Sequence, residues 1–129
     1  MAIEGISKNT YNLIKDGIKA SNLRAKTISN NIANINTKNY KKFSVVFEEN
    51  LKNNSSSLEL KRTKDAHLFG GNGLGNMYVV KEKGTSMRND GNNVDLEVEK
   101  VNQAANTLKY NALISNINTR FNDLKTVIK

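Results

Sequence analysis

Tyr11, Ile14, Ile18, Ser21, Ala25, Ile28, Ile32 and Ile35 follow one another at alternating spacings of three and four, with polar residues almost everywhere between them. An apolar residue every 3.5 positions is the seam of a helix that packs along its length against another helix. The pattern predicts a helix that starts at Ser7 as N-cap and runs to about Asn36. Clustered Asn residues over 34–39 then favour side-chain-to-backbone bonding and end it. Gly17 inside the helix costs about 1 kcal/mol relative to Ala, which a closely approaching neighbour can offset.

A second amphipathic stretch runs from about Val94 to Lys129. Asp95 is a good N-cap, Glu97 and Glu99 suit the positive end of the helix dipole, and Lys125 and Lys129 suit the other end. Val101, Ala105, Leu108 and Ala112 share one face. Tyr110, Ile114, Ile117, Phe121, Leu124 and Ile128 form another seam, about half a turn away at roughly 100° per residue. A helix with two such seams is expected to meet different neighbours on its two faces.

Between the helices the chain is short and polar. Phe43–Phe47 and Met77–Val80 read as strands, and Leu58–Lys61 alternates like a strand edge. Asn53–Ser57 and Gly84–Asn93 read as loops. The fold class is therefore mainly α: an antiparallel, coiled-coil-like pair of long N- and C-terminal helices with a small irregular or β-containing middle segment. Residues 1–36 and 94–129 form a discontinuous terminal-helix domain, and 37–93 the middle segment. With 129 residues, 37% hydrophobic and no Trp, no large core is available.

The same residues argue against several function classes. The glycine-dense Gly70–Gly75 run is followed by no Lys-Ser/Thr and sits in no strand–loop–helix unit, so it reads as a loop and not a phosphate cradle. His67 is the single histidine and there is no cysteine. One imidazole without an acid cluster makes neither a metal site nor a general base, so no metal, cofactor or catalytic residue is expected. No segment reaches the roughly 18 apolar residues that span a bilayer, and MAIEGISKNT lacks the apolar core of a cleaved signal peptide.

The net charge is +8, with twelve Lys/Arg against five acids in residues 1–64 and eight against seven in 65–129. Lys8, Lys15, Lys19 and Lys26 are spread along the polar side of the first helix without aromatic residues among them. That is a solvated helix face and not a nucleic-acid surface. These features fit an assembly protein; they leave open a cytosolic coiled-coil adaptor or a chaperone-like binding module.

Two segments are more specific. Asn30-Asn31-Ile32-Ala33-Asn34-Ile35-Asn36-Thr37-Lys38-Asn39-Tyr40-Lys41-Lys42 resembles the motif shared by rod, hook and related axial proteins of the bacterial flagellum. Asp90-Gly91-Asn92-Asn93-Val94-Asp95-Leu96-Glu97-Val98-Glu99, the Leu108–Leu113 stretch, Phe121–Lys125 and Thr63–Leu68 are similar to the rod proteins of the flagellar basal body, in particular its short proximal-rod subunits. Where the axial motif often carries Thr-Pro-Gly-Tyr, this chain has Thr37-Lys38-Asn39-Tyr40. Asn39 is then expected to take the left-handed conformation that Gly would supply.

The resemblance implies a non-enzymatic rod subunit that transmits torque from motor to hook and filament. It also implies export unfolded by the flagellar type III apparatus, without a cleaved signal peptide. The implied partners are other rod subunits, the rod-base adaptor and the membrane ring, with self-association in the rod and no nucleic acid or small-molecule substrate. The expected assembly interface comprises Ile14, Ile18, Ile28, Ile32, Ile35 and Tyr40 from the first part, and Val101, Leu108, Ile114, Ile117, Phe121 and Leu124 from the second.

Overall fold

The structure, a computed structural model, describes residues 2–47, 77–84 and 88–128. Two 32-residue helices dominate it: α1 (Ala2–Ala33) and α2 (Leu96–Val127). Between them lie β1 (Phe43–Val46) and β2 (Tyr78–Lys81), paired antiparallel with Phe43 opposite Lys81 and Val46 opposite Tyr78. The Asn53–Ser57 loop, the Leu58–Lys61 strand edge, the Thr63–Leu68 segment with His67, and the Gly70–Gly75 loop lie outside the described residues.

The helices run antiparallel. Asn31 meets Glu99, Ser21 meets Asn106, Gly17 faces Leu113 and Tyr11 faces Phe121, so partners rise in number along α2 as they fall along α1. Gly17 sits where the helices come close. A Cβ there would stand 3.2 Å from Leu113 Cδ1, so the missing side chain lets Leu113 in.

Asp95 caps α2 as its sequence predicts: its Oδ1 accepts from the backbone N–H of Glu97 at 2.9 Å and of Val98 at 3.3 Å. At the start of α1 the expectation fails. The helix begins at Ala2 and passes through Ser7, which is therefore not its cap. Ala2-Ile3-Glu4-Gly5-Ile6 contains no proline and a single glycine, a sequence that a helix can run through. Its other end falls where expected, with the Asn34 N–H still bonded to Asn30 O at 3.1 Å before the chain turns.

The buried face of α1 is also shifted from the apolar seam. Ala20, Ser21, Thr27, Ile28 and Asn31 are buried, whereas Ala25 is exposed and Ile18 and Ile32 are half-buried. The shift has two causes. The hairpin covers the Asn31 side of α1, with Phe43 bonded to Asn31. Leu113 then enters over Gly17. Among the described residues, the buried hydrophobic side chains are Ala20, Ile28, Phe47 and Val94. The buried polar ones are Ser21, Thr27, Asn31, Asn92, Glu99 and Asn106.

Candidate assembly interface

The two segments singled out in the sequence meet in space and form a polar clasp. The carbonyls of the turn that follows α1 lie outside the helix ladder and need partners of their own. Asn92 gathers three of them: its side-chain amide donates to the carbonyls of Asn34, Ile35 and Thr37, each at 2.9 Å. Its Oδ1 accepts from the Val94 N–H at 2.8 Å. Arg88 adds a guanidinium bond to Ile35 O at 3.0 Å. The segment that leads into α2 therefore fastens the turn that follows α1.

The turn after α1 is fixed from the same side. Asn39 has φ 58 and Gly91 has φ 76, both left-handed, and the Asn39 N–H donates to Asp90 O at 2.8 Å. Asn39 thus takes the conformation expected of it without a Pro-Gly pair. A Cβ on Gly91 would stand 2.5 Å from Asn39 Oδ1, so these two turns interlock. Asn93 ties in the hairpin, accepting from the Lys42 N–H at 2.7 Å and donating to Glu82 O at 3.0 Å. The Asp90 carboxyl is held below its usual range, first by the Asn92 N–H it accepts and then by Arg88 at 2.7 Å.

Asn31 links α1, the hairpin and α2. Its amide donates to Phe43 O at 2.8 Å and to Glu99 Oε2 at 3.2 Å, and its Oδ1 accepts from Tyr40 Oη–H and from the Phe43 N–H. Tyr40 is half-buried with its ring edge-on to Phe43. Burial raises its hydroxyl pKa above the ordinary value, and the nearby Glu99 carboxylate raises it further. Fully partnered polar networks of this kind specify one arrangement of the chain. Asn31 lies within the motif quoted above and Asn92 in the Asp-Gly-Asn-Asn turn, so a sequence signal existed for both. Nothing marked Asn106 or Glu99 as buried.

The residues expected to form the assembly interface divide into two groups. Ile28 is buried inside the subunit, and Ile14, Ile18, Ile32, Ile35, Tyr40, Ile114 and Ile117 are half-buried. Val101 and Leu108 point outward, 67% and 72% exposed, and Phe121 and Leu124 are about half exposed. Toward the free ends of the helices Tyr11, Phe121, Leu124 and Val127 line an open apolar groove, with Lys8, Arg120 and Asp123 at its rim. A smaller cavity beside the hairpin is lined by Arg24, Lys42, Phe43, Glu82, Glu99 and Lys109, a mixture of both charges around one aromatic ring. Among the described residues no group of three His, Cys, Asp or Glu could hold a metal, and no helix is long and apolar enough to cross a membrane.

Residues 17–41, which contain the inward face of α1 and its clasped turn, match the family model for flagella basal body rod protein. The flagellar basal body rod protein FlgB of Bacillus subtilis (strain 168) is 37% identical over 119 residues, covering 92% of this chain and 92% of its own. The chain belongs to the FlgB family of flagellar basal body rod proteins. FlgB of Borrelia hermsii is 36% identical over 117 residues, 83% of this chain and 86% of its own. FlgB of Proteus mirabilis (strain HI4320) is 29% identical across 95% of both chains. The likeness thus spans both helices and the clasp. A FlgB-family chain is a structural component of the basal body rod.

Proposed function

We propose that this chain is a subunit of the proximal rod, transmitting torque from motor to hook and filament by helix-to-helix contact with its neighbours. The observation that carries the reading is the apolar surface left outside on α2. Val98, Val101, Leu108, Phe121, Leu124 and Val127 are 46–84% exposed. Exposed apolar rows at heptad spacing mark surfaces that another helix covers. Torque transmission requires many such contacts and no chemistry.

Other rod subunits, the rod-base adaptor and the membrane ring are the neighbours this reading assigns, together with further copies of the chain. Passage out of the cell belongs to the flagellar type III apparatus. Residues 1–36 and 94–129 act as one discontinuous assembly domain, and 37–93 form the middle segment, whose residues 39–43 and 88–93 brace one end of it.

The test is incorporation. Leu108→Asp and Ile117→Asp place charges on opposite faces of α2, and each is expected to remove the subunit from purified hook–basal bodies and abolish swimming. Crosslinks from the two positions are expected to reach different surfaces. Swimming by a strain that lacks the gene, with no paralogue present, ends the rod assignment.

A further inference from the structure

The first half of α2 is turned the wrong way round for a helix that only has to pair with α1. Val98, Val101 and Leu108, 46%, 67% and 72% exposed, form with the exposed Ala105 and Ala112 an unbroken heptad row on the outside. The inside carries Glu99 and Asn106, 3% and 7% exposed. At about 100° per residue, Leu108 and Val101 lie roughly 140–160° around the helix from Asn106. Over residues 96–108, hydrophobic burial alone would roll α2 until the Val101–Leu108 row met α1, whereas beyond it Leu113 against Gly17 and the half-buried Ile114 and Ile117 favour the present phase.

Directional bonds oppose that roll. Ser21 Oγ donates to Asn106 Oδ1 at 2.9 Å, and Asn106 Nδ2 returns a bond to Ser21 O at 2.9 Å. One turn from the start of α2, Asn31 Nδ2 donates to Glu99 Oε2 at 3.2 Å. Turning the apolar row inward would break all three bonds. A buried polar contact of this sort selects among arrangements of similar apolar burial, as a polar residue in a helical seam fixes register.

We infer that Ser21–Asn106 and Asn31–Glu99 are phase-setting contacts: they hold the polar side of α2 against α1 so that the Val98–Leu108 row stays outward for an apolar helix of a neighbouring rod subunit. Only the identity of that neighbour rests on the proximal-rod reading. The phase of α2 is a property of the subunit itself.

The chain has no cysteine, so a single thiol can report the phase. In the full-length chain, Leu108→Cys is expected to react with N-ethylmaleimide almost as fast as in denaturant. In the Ser21→Ala/Glu99→Ala/Asn106→Ala background the row is free to turn inward. Labelling at Leu108→Cys is then expected to slow about tenfold with helical circular dichroism retained, the value for roughly nine in ten molecules rolled. A purely stabilising role for these residues predicts unchanged or faster labelling, and that result overturns the inference. If the triple variant loses its helical signal, the exchanged pair Ser21→Asn/Asn106→Ser decides. It preserves a hydroxyl–carboxamide contact across the seam and is expected to keep fast labelling at Leu108→Cys; slow labelling there overturns the inference. Recovery of the exchanged pair in hook–basal bodies tests the rod reading separately, since failure to incorporate with fast labelling intact counts against that reading and not against the phase.

Discussion

Beside the hairpin, α1 and α2 are joined through Asn31, Asn92, Glu99 and the Ser21–Asn106 pair, with each side-chain amide bonded on both its nitrogen and its oxygen. Toward their other ends the same two helices meet through Tyr11 and Phe121, whose ring centroids are 6.2 Å apart, while Leu124 and Val127 stand largely in solvent. One half is specified by short, directional bonds that are complete within the subunit. The other depends on non-directional apolar contact that the subunit alone leaves unfinished. Helices within a folded protein gain most of their stability from packing. The two halves of a single helix pair can therefore differ greatly in stability.

Amide exchange gives the largest expected contrast. In a dilute chain, amides of residues 20–31 and 99–110 are expected to exchange about 100-fold more slowly than those of 8–14 and 117–127. Uniformly slow exchange along both helices would break the comparison. Next in size, Asn92→Ala removes the donor shared by the carbonyls of Asn34, Ile35 and Thr37 and the acceptor of Val94 N–H. A loss of about 2–3 kcal/mol in urea unfolding is expected, from the hydrogen bonds removed and the buried Val94 N–H deprived of its acceptor.

Gly91→Ala sharpens the same point through the backbone. With φ 76 and Asn39 Oδ1 in the way, the substitution is expected to cost about 1–2 kcal/mol, measured the same way. Tyr40→Phe is the smallest change, losing one 3.2 Å bond to Asn31 for about 1 kcal/mol. It also carries a pH signature. The folded Tyr40 hydroxyl lies above the ordinary 10.0, so its stabilising contribution is present below that pH and is lost as pH rises through the folded value. The parent chain is expected to lose stability in that alkaline window through a component that Tyr40→Phe lacks, as alkaline urea titrations would reveal.

Much of this was legible in the residues. The 3/4 spacing located both helices, Asp95 marked the start of the second, Phe43–Phe47 and Met77–Val80 held the strands, and Asn39 stood where a left-handed residue was needed. The inward face was legible only in part. The heptad seam included Ser21 and Ile28, which are buried, but α1 also buries Thr27 and Asn31 while Ala25 of the seam faces water. In a chain with 22 asparagines, composition cannot distinguish Asn31, Asn92 and Asn106, which are buried, from the others. Their burial depends mainly on partners 9 to 85 residues away, which local spacing does not encode. The outward direction of Val101 and Leu108 follows from those same distant bonds.

The clasp on the turn after α1 comes from far down the chain, and this has a consequence in time. Asn92 reaches back across 55 to 58 residues to the carbonyls it binds. During synthesis, the turn after α1 leaves the ribosome without this clasp and stays so until the Asp90–Asn93 segment has also emerged. Closing a loop of that length carries an entropic delay that short-range contacts avoid. The turn is thus made early and fastened late, and the nascent chain remains unlatched through most of its elongation.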